Sequence, residues 1–141
     1  MRLRRLRPPL LALVTACGCG HFRRVGECKR LATRVNATLE EIAGVHDAGA
    51  ASPETYTDLA NRYDRLAAEV LAFAKSDSAL DRTLKEYAAA FQETSKTLRA
   101  LADAMDKRDP ILASKSRREM GNLTRRDKAL AARVDGLCSE P

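Results

Sequence analysis

Apolar residues recur at alternating steps of three and four along four separate stretches of this chain, and that spacing leaves it few ways to fold. The first series runs Cys28, Leu31, Val35, Thr38, Ile42, Val45, and the second Tyr56, Leu59, Tyr63, Leu66, Val70, Phe73. The third runs Leu80, Leu84, Tyr87, Phe91, Thr94, Leu98, Leu101, Met105, and the fourth Ser116, Met120, Leu123, Asp127, Leu130, Val134, Leu137. Such steps put one apolar stripe on one face of an α-helix. No stretch alternates with period two for long enough to predict a strand. Composition agrees: alanine supplies 24 of the 141 residues, and Trp is absent. Ala, Leu, Arg, Lys and Glu favour helices, whereas β-branched and aromatic residues favour strands.

Breaks between the stripes fix the boundaries. Gly44 and Ala48-Gly49-Ala50-Ala51 close the first helix. Ser52-Pro53 then supplies an N-cap followed by a proline in the first turn, where its missing N–H costs nothing. Ser78 with Asp81 approximates a capping box, Asp109-Pro110 repeats the cap-then-proline signal, and Gly136 fits a helix end. Helices are expected over about 24–47, 53–75, 78–108 and 110–136. No amphipathic helix hides its stripe alone, and short connections make successive helices antiparallel neighbours. The expected fold is all-α: an antiparallel up-down-up-down four-helix bundle with coiled-coil-like packing. A three-helix core with one loosely attached helix is the variant. Two polar residues interrupt the stripes. Thr94 can bond back to a helix carbonyl. Asp127 cannot be buried without a partner, so the seam is expected to rotate outward there.

The N-terminal segment reads differently. Arg2, Arg4, Arg5 and Arg7 precede an uncharged run from Leu10 to Ala16. This is the layout of an export signal, and it is far shorter than the roughly 20 apolar residues that span a bilayer. The stretch Leu13-Val14-Thr15-Ala16-Cys17 resembles the lipobox of bacterial lipoproteins, in which an aliphatic residue and two small ones precede the cysteine that receives lipid. The resemblance covers the first 17 residues. It implies removal of 1–16 as a signal peptide, lipidation of Cys17, a tether over 17–23 and a bundle over 24–141. It also implies an exported protein held to the cell envelope by its lipid. Gly18 stands where Asp would resemble an inner-membrane retention signal, which favours the outer membrane. Cys19 is the second candidate for lipidation. The alternative for this segment is a basic arm on a cytosolic protein.

In an up-down-up-down bundle, the start of the first helix and the end of the fourth share one end. Cys28 and Cys138 occupy those two places. In an oxidising compartment they are expected to form a disulfide; in the cytosol they would stay free thiols. Cys19 is left over.

Charge restricts the partners. The formal charge is +6, but without the four N-terminal arginines the chain carries 21 Lys and Arg against 19 Asp and Glu. Nucleic-acid binders carry a strong basic field, so none is expected as a partner. The end of the bundle nearest the lipid is richer in bases than acids. Arg23, Arg24, Lys29, Arg30, Arg125, Arg126 and Lys128 form a candidate membrane-proximal basic surface, attracted to an anionic leaflet.

Catalytic chemistry is not evident. Two histidines, His21 and His46, allow no triad. Cys17-x-Cys19-x-His21 fits no zinc spacing, and no Glu-x-x-His motif of a di-iron bundle occurs. No metal, cofactor or enzymatic activity is expected. The leading expectation is a non-enzymatic envelope lipoprotein whose bundle acts as an interaction or structural module, with the membrane and an envelope protein as partners. The second is a bundle carrying a small apolar ligand or cofactor in its core, in a cavity bounded by residues such as Ala67, Ala88 and Ala102. The third is a cytosolic basic helical protein.

Overall fold

The computed structural model describes residues 18–47, 52–75 and 78–139, with side chains from residue 25 to 45 in the first of these segments. It contains α1 (Gly18–Asp47), α2 (Pro53–Phe73), α3 (Ala79–Asp106) and α4 (Pro110–Ser139). Successive helices pack side by side, and α4 returns to α1, so the chain is an up-down four-helix bundle.

The apolar stripes face inward. Leu31, Val35 and Ile42 of α1 are buried, as are Leu59, Leu66 and Val70 of α2. The α3 stripe is buried from Leu80 to Leu101, and α4 contributes Leu123 and Leu130. Phe91 has no exposed surface and packs at the centre, its ring 4.3 Å from that of Tyr87 and 5.8 Å from that of Tyr63. Thr94 lies in the same core and donates from Oγ1 to the Ala90 carbonyl, which satisfies it locally.

Packing is uneven. α2 and α3 run closest together, and α4 lies nearly as close to α3, while α1 sits further from both its neighbours. Ala60, Ala67 and Ala88 are completely or almost completely buried. Small side chains let two helix backbones approach, so these alanines draw α2 and α3 together. Arg99 on α3 adds a polar clasp to α2, donating to Asn61 Oδ1 at 2.8 Å and Asp64 Oδ2 at 2.7 Å.

Helix ends follow the local chemistry. The backbone N–H of Thr55 donates to Ser52 Oγ at 3.2 Å, that of Asp81 to Ser78 Oγ at 3.1 Å, and those of Ile111 and Leu112 to Asp109 Oδ1 at 3.0 Å. Four boundaries differ from expectation by two residues or more, α2 ending at Phe73 where residue 75 was expected. α1 begins at Gly18, where a tether to residue 23 was expected, because its glycines lower helix propensity by about 1 kcal/mol each without blocking the helix. α4 runs through Gly136 to Ser139 for the same reason. α3 stops at Asp106, two residues early, in a turn where Arg108 takes a left-handed φ of 53°. There Asp109 N–H donates to the Ala104 carbonyl at 2.8 Å and Arg108 N–H to that of Met105 at 3.1 Å. That pair of bonds is the Schellman closure of a helix, with arginine where glycine is usual.

Candidate ligand-binding seam

Cys28, ten residues into α1, and Cys138 near the end of α4 are joined by a disulfide, with Cα atoms 6.0 Å apart. The bond ties the loosely packed helix to α4. Cys17 lies outside the described residues, as do the signal segment 1–16 and the side chains of Cys19, His21, Arg23, Arg24 and His46. Lys29 and Arg30 are exposed on α1 beside the disulfide. Arg125, Arg126 and Lys128 are exposed on α4. At 1.5 Å per residue, Arg125 stands about 20 Å along the helix from Cys138, at the bundle's middle and not at its disulfide end. Arg126 Nη1 is 2.6 Å from Glu93 Oε2, and Arg125 donates to Asn122 Oδ1 at 2.6 Å. The charge of Arg126 is therefore partly answered within the protein.

The looser fit of α1 leaves two cavities along its inner face. One, of about 460 Å³, lies beside the disulfide, between Leu31 and Val35 of α1, Leu84 and Tyr87 of α3, and Ala131 and Val134 of α4. The other, of about 620 Å³, lies towards the opposite end, among Leu39, Ile42, Tyr63, Leu98, Met120 and Thr124. Both fall within the size range of small-molecule sites, and both are mostly apolar. Ala67, Ala88 and Ala102 line neither of them. Those alanines spend their small volume on close helix contact, and empty space arises where one helix stands off.

Asp127 on α4 lines neither cavity but is flanked along its helix by residues that do. It is three residues after Thr124, which lines one, and four before Ala131, which lines the other; both spacings lie on one helix face. The seam does not turn it outward as expected. Asp127 is half-buried, and its Oδ1 is inaccessible and makes no hydrogen bond. Burial pushes its pKa up to about 6; Arg126 opposes the shift and Glu93 adds to it. Burial likewise pushes Tyr87 up to about 12, with the Asp127 charge as the next cause, and Tyr63 shifts upward for the same two reasons. A half-buried acid and two tyrosines thus share one electrostatic neighbourhood in the core.

Sequence reasoning placed Tyr63, Tyr87 and Phe91 in the core, and they lie there. The signal for this neighbourhood was the acid itself, placed where the period demands an apolar residue. Among the described residues no cluster of His, Cys, Asp and Glu could hold a metal ion, and no helix is long and apolar enough to cross a membrane. No family model, curated protein or solved structure matches this chain.

Proposed function

We propose that this protein is a non-enzymatic lipoprotein of the bacterial envelope, held at a membrane surface by lipid on Cys17, whose four-helix bundle is a binding module. The disulfide carries the reading. Cys28 and Cys138 are joined across the ends of the chain, and such bonds persist in oxidising compartments outside the cytosol. The segment Leu13-Val14-Thr15-Ala16-Cys17 supplies the matching anchor. Lys29 and Arg30, exposed beside the disulfide, would face an anionic leaflet. Long, charged helix faces such as that of Arg117, Arg118, Arg125 and Arg126 offer a surface to an acidic envelope protein.

Intact mass spectrometry of the native protein tests this reading. The expected species starts at Cys17, carries acyl chains and lacks two hydrogens for the disulfide, and Cys17→Ser abolishes the acylation. An intact Met1 with reduced thiols would instead support the cytosolic alternative. Flotation with anionic and neutral liposomes tests the basic surface: an unlipidated form should favour the anionic ones.

The two seam cavities favour a second reading, in which the binding module takes a small, largely apolar ligand between α1 and α4. Native mass spectrometry of protein purified without detergent would then show a bound small molecule that is lost on denaturation.

A further inference from the structure

We propose that the cavity towards the end opposite the disulfide binds a small aliphatic carboxylate, with its chain between α1 and α4 and its head group on Arg117. The inference rests on the second reading above, that the seam takes an apolar ligand, and adds the chemistry of the head group.

The lining of that cavity, about 620 Å³ in volume, carries the inference. Its walls are apolar: Leu39 and Ile42 of α1, Leu98 of α3 and Met120 of α4. Among the twelve described residues that line it, Arg117 alone is charged. An aliphatic body gains by leaving water for such walls, and a guanidinium is the side chain best matched to a carboxylate. Arg117 is exposed, so the head group stays at the cavity mouth and no bare charge is buried. From Arg117 to Thr124, which also lines the cavity, α4 rises about 10 Å, roughly the length of an octyl chain. Asp127 lies about 15 Å along α4 from Arg117, and its charge reaches Tyr63 in the cavity wall. The two ends therefore differ in sign, and a carboxylate is drawn to the Arg117 end. The cavity beside the disulfide makes no such choice, because Lys29 and Asp135 both line it. An alcohol of the same shape would keep the apolar contacts but bring Arg117 no charge, and an amine would meet like charge.

Calorimetric titration of the oxidised protein at pH 7 with octanoate, octanol and octylamine separates these cases, because the three share one chain and differ only at the head. Octanoate should bind about tenfold more tightly than octanol, and octylamine most weakly. Arg117→Gln should bring octanoate to the level of octanol and leave octanol unchanged; a melting curve confirms that the variant folds. In wild-type protein labelled at its methionine methyl carbons, octanoate should shift the Met120 resonance, since Met120 lines this cavity and not the other. Octanoate binding no tighter than octanol to the wild-type protein would overturn the assignment of the head group while leaving the apolar seam standing. So would a carboxylate preference that survives Arg117→Gln. Octanoate binding that leaves the Met120 resonance in place would overturn the choice of cavity. Binding of none of the three would overturn both readings together.

Discussion

Cys28 and Cys138, 110 residues apart in the chain, hold α1 against α4 beside one of the two cavities that both helices flank. Closing so long a loop removes about 4–5 kcal/mol of unfolded-state entropy on the chain-entropy account. The bond also acts where packing is weakest, since α1 has the fewest close approaches to its neighbours. Replacing both cysteines by serine should lower stability by up to that amount in denaturant titrations. Hydrogen exchange should quicken first along α1, with α2 and α3 still protected. An equal loss of protection over all four helices would contradict this division of the fold.

Asp127 should make the protein more stable at pH 4.5 than at pH 7. Its folded pKa of about 6 lies above the unfolded value near 3.9, so the folded state holds the proton more tightly. Stability from this group is present at low pH and is lost as pH rises from about 4 through 6. Asp64 works in the other direction. Burial pushes its pKa upward, but hydrogen bonds with Ser95 and Arg99 outweigh that and lower it, so its contribution fades only below the ordinary Asp range. Thermal melts between pH 4 and 7 should therefore show Tm falling as pH rises, and Asp127→Asn should flatten that slope. An unchanged slope in the variant would assign the effect elsewhere.

Arg108 should be replaceable with profit. It occupies a left-handed φ of 53° at the end of α3, a conformation that costs a residue with a Cβ roughly 1 kcal/mol relative to glycine. Arg108 is exposed, and its backbone N–H already serves the turn. Arg108→Gly should raise stability by about 1 kcal/mol in a denaturant midpoint measurement at constant slope. A loss of stability would mean that the arginine side chain contributes more than its backbone strain removes.

Core substitutions should divide along the same line as the packing. Phe91 is fully buried between Tyr63 and Tyr87, and Phe91→Ala should cost about 3–5 kcal/mol. Val35 of α1 is also buried but borders the cavity beside the disulfide. It has fewer neighbours to lose there, and the half-open seam can relax, so Val35→Ala should cost about 1 kcal/mol. Equal costs at the two positions would show α1 to be as tightly seated as α3.

The sequence alone determined what depends on neighbours along the chain. The stripes from Leu31 to Leu130, the caps at Ser52, Ser78 and Asp109, and the meeting of Cys28 with Cys138 were all legible. Helical period, capping hydrogen bonds and the count of chain reversals are local or topological quantities. Glycine boundaries were less legible. Gly18 and Gly136 weaken a helix only slightly, so whether it continues depends on what it packs against. Tertiary structure alone decided how closely each helix sits. Ala67 and Ala88 looked like the walls of a cavity but draw α2 and α3 together, while the space opened along α1, whose stripe is no less regular. That spacing also settled the fate of Asp127. Its position in the fourth stripe was plain, but its half-buried setting was not, because helix separation is set by the sum of many side chains on both partners and not by any one of them.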